Sequence, residues 1–182
     1  MRESITVSTG SREELVDITK QVQQVVDRSG MRDGLVSVYV QGATAAIMVQ
    51  ENWDESVQTD VVNLLAKLIP RGVWLHDRQD GNGDSHLKAG IVGPSETVPV
   101  IDGTLGLSTW QNLFLCEFDG PRSERRILST LIETRGTRRI SGRLRGPRHY
   151  RLRPRGMHRA AACLHYLQPC HCQVAKRPRQ SP

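Results

Sequence analysis

The sequence of 182 residues contains no apolar run near the ~20 residues that a membrane-spanning helix requires. Its amino terminus, MRESITVSTG, also lacks the apolar centre of a secretory signal. Since neither feature is present, we expect a cytoplasmic protein that makes no contact with membranes.

Cysteine is nearly missing from the first 133 residues, where Cys116 stands alone. A single thiol cannot form a disulfide framework. The other three cysteines lie with two histidines in the C-terminal stretch CLHYLQPCHC at 163–172. That stretch lacks a paired Cys-x-x-Cys, so it matches a zinc site only weakly.

Three common catalytic signatures are also absent. The sequence has no P-loop, no dinucleotide-binding glycine pattern after a strand and no Gly-x-Ser-x-Gly elbow. Any reaction must therefore depend on other combinations of polar residues.

Acidic residues are scarce in the C-terminal part of the chain. Residues 129–182 hold 13 Lys and Arg against one Glu, a net charge of +12, whereas residues 1–128 hold 12 against 18, a net charge of −6. The overall charge of +6 and the pI near 9.5 thus describe the tail and not the body. Attraction to nucleic acid is expected of the tail alone.

Hydrophobic periodicity predicts two amphipathic helices in the body. A capping box at Ser11 and Glu14 opens the first helix, and Gly30 ends it. The apolar face of this helix consists of Leu15, Ile18, Val22, Val25 and Val26. The second helix has its apolar face at Val57, Val61, Leu64, Leu65 and Leu68. Pro70 and Gly72 end that pattern.

Short runs rich in β-forming residues lie between and after these helices, at 5–9, 35–40, 44–49, 97–101, 109–118 and 125–132. Six strands and two helices without regular βαβ alternation predict a single α+β domain with a mainly antiparallel sheet or sandwich. We place this domain at residues 1–133. Apolar periodicity disappears from residue 134, so we expect the Arg-rich extension 134–182 to be irregular and disordered.

The segment HDRQDGNGDSH at 76–86 places His76 and His86 at the ends of a polar, Gly-containing stretch. Such a loop can bring two imidazoles together, and neutral imidazole binds divalent metals. The alternative is a solvated loop whose Asp and Asn side chains bond their own backbone. A calcium loop is excluded, because counting from Asp80 puts Ser85 where an EF-hand requires Gly and Ile91 where it requires Glu.

Four stretches of the body together resemble the YjbQ family, also named the secondary thiamine-phosphate synthase family. They are TAAIMVQENWDESVQTD (44–60), HDRQDGNGDSHLKAGIVG (76–93), VPVIDGTLGLSTWQNLF (98–114) and CEFDGPRSERRIL (116–128). With the amino-terminal strand and helix, the resemblance extends over residues 1 to about 133 and covers none of the tail.

The resemblance implies a compact α+β protein that assembles as a homotrimer, with polar residues of the four stretches gathered near subunit boundaries. It also implies a transferase, a secondary thiamine-phosphate synthase that joins an aminopyrimidine methyl diphosphate to a thiazole phosphate and releases pyrophosphate. The chain departs from the family pattern at two places. Gly42, Ala43 and Thr44 replace His-Thr-Thr or His-Thr-Ser, and Ser108 replaces a glycine.

The family pattern implies a third histidine at position 42, which would complete a three-histidine metal site with His76 and His86. Gly42 prevents that site from forming within this chain. The two histidines and one carboxylate could still bind a divalent metal, either Mg²⁺ or a zinc-like ion, more weakly. The candidate carboxylates are Glu51, Asp60 and Glu117.

Substrate contacts divide into two groups by side-chain chemistry. Hydroxyl, ammonium and guanidinium donors that suit phosphate or diphosphate are Thr44, Ser85, Lys88 and Arg122, with His86 beside them. Asn52 and Gln111 lie near Trp110 and suit the edge and face of a heterocycle. Ordinary surface charge is the alternative for Lys88 and Arg122, and a core position is the alternative for Trp110.

Catalytic roles are assigned to His76, His86 and Glu117. The alternative for Glu117 and Arg122 is that they only hold the turn at EFDGPR. A second function is a catalytically impaired trimer that binds small ligands or acts as a scaffold, which Gly42 favours, with RNA contacted by the basic tail. The abrupt change in composition near residue 133 favours a different explanation of the tail, namely that it is translated from a shifted reading frame.

Overall fold

The computed structural model describes residues 1–134 of the chain. The predictions for the tail, namely its disorder, its zinc match and its contact with nucleic acid, lie outside the described residues.

Eight strands and three α-helices make up the described part. The strands are β1 (Arg2–Val7), β2 (Glu14–Asp17), β3 (Gly34–Gln41), β4 (Ala45–Glu51), β5 (Ser95–Ile101), β6 (Thr104–Leu105), β7 (Gln111–Glu117) and β8 (Arg125–Glu133). The helices are α1 (Thr19–Ser29), α2 (Glu55–Leu68) and α3 (Gly83–Val92), and a 3-10 helix covers Leu75–Arg78. The α+β class is confirmed, with more elements than the six strands and two helices expected.

The strands form two antiparallel sheets. A five-stranded sheet has the order β1-β8-β3-β5-β6, and a three-stranded sheet has the order β2-β7-β4. Residues of both sheets and of α1 share the main hydrophobic core. A smaller cluster covers the other face of the three-stranded sheet and consists of Ala46, Leu65, Ala89, Cys116 and Phe118. Within residues 1–134 the three-stranded sheet is therefore the middle layer.

Strand β7 is buried on both faces because it is the central strand of that middle layer. Leu113 and Leu115 face the main core, and Cys116 faces the smaller cluster. The continuous apolar run LFLC is typical of a strand that no longer needs to alternate. Burial raises the pKa of the Cys116 thiol to about 12, so this thiol is protonated at neutral pH.

The first helix begins later than the capping box predicted. Residues 14–17 form strand β2, which pairs with β7 and places Leu15 opposite Cys116. The Glu14 carboxylate does accept the Ser11 backbone N–H at 2.9 Å, but in a loop rather than at a helix start. The prediction was wrong because strand pairing with a distant segment overrode the local signal. The helix end at Gly30 is confirmed, with a φ of 69°.

The polar segment 76–86 is largely helical, which corrects the interpretation of it as a loop. The Asp77 carboxylate accepts the backbone N–H groups of Trp74 and Gly83, each at 2.8 Å, and so connects the 3-10 helix to the start of α3. The hydrogen bond from Trp74 lowers the pKa of Asp77, with further contributions from Gly83, Gly72 and the charge of His76, against an opposing effect of desolvation. Four glycines in or next to α3 made this helix hard to recognise in the sequence, because glycine is a poor helix former.

Helix α2 ends at Leu68 as predicted, and the Asp54 side chain accepts the Ser56 backbone N–H at 2.7 Å at its start. Its apolar face is only partly covered, since Leu65 is buried whereas Leu64 and Leu68 are exposed. None of the helices described within residues 1–134 has the length and apolar character needed to cross a bilayer.

Two isoleucines of β8 provide a matched test of this architecture. Ile127 is fully buried in the main core, and Ile132 on the same strand is 55% exposed. We expect Ile127→Ala to lower the free energy of unfolding by about 2–5 kcal/mol, because it removes three buried carbon atoms and leaves a cavity. Ile132→Ala should cost less than about 1 kcal/mol. Urea unfolding measures both, and equal losses would contradict the proposed inward face of β8.

Candidate functional site

A buried ion pair joins the end of β7 to the start of β8. Arg125 donates to both carboxylate oxygens of Glu117, from Nε at 2.6 Å and from Nη2 at 2.5 Å. Glu117 is fully buried and also accepts from the Thr9 hydroxyl at 3.2 Å and from the backbone N–H groups of the next two residues. Arg125 Nη2 further donates to the Thr44 hydroxyl at 2.9 Å. The desolvation of both charges is thus offset by hydrogen bonds to both oxygens of Glu117 and from Nε and Nη2 of Arg125.

Gly42 lies directly beside this pair. A Cβ atom built at position 42 would lie 3.0 Å from Arg125 Nη1. The φ of Gly42 is outside the left-handed region, so the backbone there does not require glycine. The absence of a side chain therefore affects Arg125 rather than the local backbone.

The turn after β7 packs against residues 9–12. The backbone N–H of Thr9 donates to the Arg122 carbonyl at 2.8 Å, and the N–H of Gly120 donates to the Arg12 carbonyl at 3.0 Å. A Cβ at Gly120 would lie 2.1 Å from the Ser11 carbonyl oxygen, so only glycine fits at this approach. The turn is held by its backbone as well as by Glu117.

A second group of charges, which we name the α3 ion cluster, connects residues 12 and 13 to the first half of α3. The buried Lys88 donates to Glu13 at 2.7 Å and to Asp84 at 2.9 Å. Arg12 donates to Asp84 at 3.1 Å and to the Ser85 hydroxyl at 3.3 Å. Lys88 is therefore neither a surface charge nor a free phosphate ligand within the protomer, because two carboxylates already bind it.

Asp119 connects the α3 ion cluster to the turn. Its carboxylate accepts from Asn82 at 3.1 Å, from Arg122 at 2.6 Å and from Arg12 at 3.4 Å. Desolvation raises the pKa of Asp119, but the hydrogen bonds from Asn82 and Arg122 and the charges of Arg122 and Arg12 together hold it below its ordinary value. Arg122 is half-exposed, so part of its guanidinium remains open to solvent.

His76 and His86 face each other, as required of a shared site. Their ring centroids are 4.8 Å apart with an interplanar angle of 89°. The Nε2 atom of His76 is enclosed without a hydrogen-bond partner among the described residues and lies 3.8 Å from Asp80. His86 follows Ser85, whose hydroxyl donates to the Phe118 carbonyl at 2.5 Å. The pair thus lies on elements that are attached to the end of β7.

Metal ligation by these histidines lacks a third protein ligand among the residues that the structure describes. Within residues 1–134 there is no group of three His, Cys, Asp or Glu side chains arranged to hold an ion. The predicted carboxylate partner Glu117 is bound to Arg125, and Asp60 lies on the exposed surface of α2. A metal at the histidine pair therefore needs a further ligand from outside residues 1–134 or from solvent.

Asn52 and Gln111 lie at the opposite end of the middle sheet. In the β4–β7 register Ala45 is paired with Glu117, and Glu51 is paired with Gln111. Six residues of an extended strand span roughly 20 Å. Within one protomer, the residues predicted to contact a heterocycle therefore lie far from Thr44 and Glu117. Those two residues are at the end of the sheet that α3 contacts.

Two exposed tryptophans mark that far end. The rings of Trp53 and Trp110 meet edge to face with centroids 4.8 Å apart, and the Asn52 N–H donates to the Trp110 carbonyl at 3.2 Å. Trp110 is half-exposed, so it is a surface platform rather than a core residue. The Gln111 side chain accepts the Ser108 backbone N–H at 3.0 Å.

Sequence reasoning missed five charged residues that organise these groups: Arg12, Glu13, Asp84, Asp119 and Arg125. A signal for one of them was present in β8. Because side chains alternate along a strand, Arg125 shares the inward face with Ile127, Ser129 and Leu131. A charged residue in that register predicts a buried partner. The other four carried no such pattern.

Comparison with known proteins shows that the chain is similar to proteins of the class named UPF0047. A UPF0047 protein from Methanocaldococcus jannaschii is 44% identical over 116 residues, which is 64% of this chain and 83% of the relative. A UPF0047 protein from Archaeoglobus fulgidus is 43% identical over 128 residues, 70% of this chain and 98% of the relative.

Solved structures agree with this placement. A crystal structure from Sulfolobus solfataricus, described as a YbjQ-like protein of unknown function, has a TM-score of 0.71 at 38% identity and covers 74% of this chain and 97% of its own. A hypothetical protein from Aeropyrum pernix has a TM-score of 0.70 at 36% identity and covers 74% of this chain and 99% of its own.

The model of the family described as UPF0047 protein YjbQ-like matches residues 3–134, and the chain belongs to that family. The predicted resemblance and its end near residue 133 are both confirmed.

Two glutamates near β8 test the buried ion pair. Glu117→Gln leaves the Arg125 guanidinium buried without its counter-charge, so we expect a loss of about 3–5 kcal/mol in the free energy of unfolding. The control is Glu124→Gln, whose exposed partner Arg126 lies at 3.5 Å and whose loss should be below about 1 kcal/mol. Denaturant titration at neutral pH compares the two. Similar small losses would mean that Glu117 is not an enclosed charge.

Proposed function

We propose that this protein is a secondary thiamine-phosphate synthase. In the reaction the thiazole nitrogen forms a bond to the methylene carbon of the aminopyrimidine, and the bond from that carbon to the diphosphate oxygen breaks. The observation that supports an active centre is the facing pair His76 and His86, carried by elements attached to the end of β7. Family membership favours this activity over unrelated transferases, although the relatives described above carry no stated reaction.

The side chains are assigned roles according to what already binds them. Arg122 is half-exposed, and we assign to it a contact with a substrate phosphate. Lys88 and Ser85 are enclosed, and we assign to them the positioning of α3 and therefore of His86.

Glu117 and Thr44 position Arg125. His76 and His86 transfer a proton or hold a metal, and Asn52 and Gln111 contact the heterocycle.

A divalent ion fits the histidine pair in part. Two imidazoles, one with an enclosed Nε2 that lacks a partner among the described residues, suit a zinc-like ion better than Mg²⁺, which prefers oxygen ligands. Such an ion would supply a positive charge to the leaving diphosphate. The residues of this chain would hold the ion through His76 and His86, with the remaining positions filled by solvent, substrate or a second copy.

A homotrimer would bring the two separated groups of residues together. The histidine pair is attached to the Glu117 end of the middle sheet and the pair Asn52 and Gln111 lies at its other end, so we expect one pocket to contain both only if neighbouring copies contribute them. Exposed apolar side chains near α2 and α3 support burial against another copy, since Leu75 is 79% and Ile91 is 70% exposed. The proposed site is therefore composite.

Restoring an imidazole at position 42 tests the proposed activity. We expect Gly42→His in the full chain to raise the rate of thiamine phosphate formation with Mg²⁺ or Zn²⁺, because it returns the side chain of the family pattern. The introduced Cβ approaches Arg125 Nη1 to 3.0 Å, so the guanidinium must shift by a few tenths of an ångström. Gly42→Ala, which adds the Cβ at the same position without the imidazole, is the matched control and should not raise the rate. The assignment would be overturned if wild type and Gly42→His both fold but neither forms thiamine phosphate.

Subunit mixing tests the composite site. Light scattering should give a mass about three times the 20.4 kDa of one chain. His86→Ala and Gln111→Ala should each inactivate the active form. When the two variants are refolded together, about a quarter of the sites should regain activity, because at those sites one copy supplies an intact His86 and its neighbour supplies an intact Gln111. A monomer, or a mixture as inactive as its components, would contradict sharing between copies.

A second function is favoured by two observations. The α3 ion cluster balances its own charges, and position 42 lacks the imidazole of the family pattern. Both fit a trimeric small-ligand-binding or scaffold protein with impaired catalysis. The associated contact of the basic tail with RNA concerns residues outside those that the structure describes.

A further inference from the structure

We propose that Gly42 opens a binding site for a small phosphate-class oxyanion on the free edge of Arg125. Neither the family pattern nor the predicted phosphate contacts assign a ligand to this arginine. The inference does not depend on thiamine phosphate synthesis and concerns binding alone.

The guanidinium of Arg125 is fixed and nearly enclosed. Nε and Nη2 donate to Glu117 and Thr44, and the residue is 8% exposed. Among the described residues no hydrogen bond uses Nη1. Nη1 is also not one of the fully enclosed polar atoms, so it retains contact with solvent. A buried arginine thus presents one N–H edge outward in a fixed orientation.

The outward edge faces position 42. Because a Cβ there would lie 3.0 Å from Nη1, any residue larger than glycine would cover this edge. Gly42 and Ala43 are both exposed, so the approach to Nη1 passes over the surface. Because Gly42 has no side chain, it leaves Nη1 of Arg125 accessible to a ligand.

The groups available at this opening are donors. Nη1 carries two N–H groups, and the Thr44 oxygen already accepts from Nη2, which leaves the hydroxyl hydrogen of Thr44 without an acceptor among the described residues. An oxyanion accepts from both, whereas a cation or a hydrogen-bond donor finds no partner. Glu117 balances the charge of Arg125, so attraction depends on short charge-assisted hydrogen bonds rather than on net charge.

Calorimetric titration of the full chain with inorganic phosphate and with pyrophosphate tests the site, with chloride at equal ionic strength as the reference. We expect saturable binding to wild type and about tenfold weaker binding to Gly42→Ala, the loss typical of one charge-assisted hydrogen bond. Gly90→Ala makes the same change at an open position and should bind as wild type does. The basic tail is present in all three proteins, so its contribution cancels in the comparison.

A direct readout accompanies the variants. The Arg125 Nε–H resonance, held by Glu117, should shift as wild type is titrated with phosphate, and a titration with acetate separates tetrahedral oxyanions from carboxylates. Equal affinity of wild type and Gly42→Ala, or no saturable binding beyond chloride, would overturn the proposal. Pyrophosphate binding at this site, with no thiamine phosphate formed by either wild type or Gly42→His, would leave the proposal intact and overturn the proposed enzymatic function.

Discussion

The ion pair between Glu117 and Arg125 is the interaction on which the rest of the structure depends, because it connects the two sheets. Glu117 ends β7 of the three-stranded sheet, and Arg125 begins β8 of the five-stranded sheet. Thr9 and Thr44, each in a connection between two strands, complete the shell of hydrogen bonds. Two charges taken out of water are tolerated only if nearly every polar atom finds a partner. Three segments distant in sequence, around Thr9, Thr44 and the β7–β8 connection, must therefore meet at one point.

The proposed site is an extension of that point. The turn that follows Glu117 carries Asp119, which binds Arg12 and Asn82 and thereby positions the start of α3. His86 lies on this helix opposite His76, so the orientation of the imidazole pair follows from the attachment of α3 to the turn. The charges of the α3 ion cluster are engaged with one another and contribute order rather than an open anion pocket.

Position 42 connects the two proposals. Without a side chain there, the proposed synthase lacks the imidazole of the family pattern, while the outward edge of Arg125 becomes accessible. Glycine at position 42 thus bears on both the proposed metal site and the proposed oxyanion site. Neighbouring copies in the proposed trimer would add the far end of the middle sheet, where Trp53 and Trp110 form an exposed aromatic platform.

The sequence by itself determined the α+β class, the approximate limits of six strands, the end of α1 at Gly30 and the family, because hydrophobic periodicity and motif spacing are local properties. Prediction from the sequence failed where contacts with distant segments overrode local sequence signals. Residues 14–17 became a strand through pairing with β7, and α3 formed in spite of its glycines. Only the tertiary structure decided that Lys88 is internally paired, that the imidazoles meet, and that Asn52 and Glu117 lie at opposite ends of the middle sheet. Which polar groups share an environment depends on strand register and sheet packing, and residue spacing along the chain does not encode these.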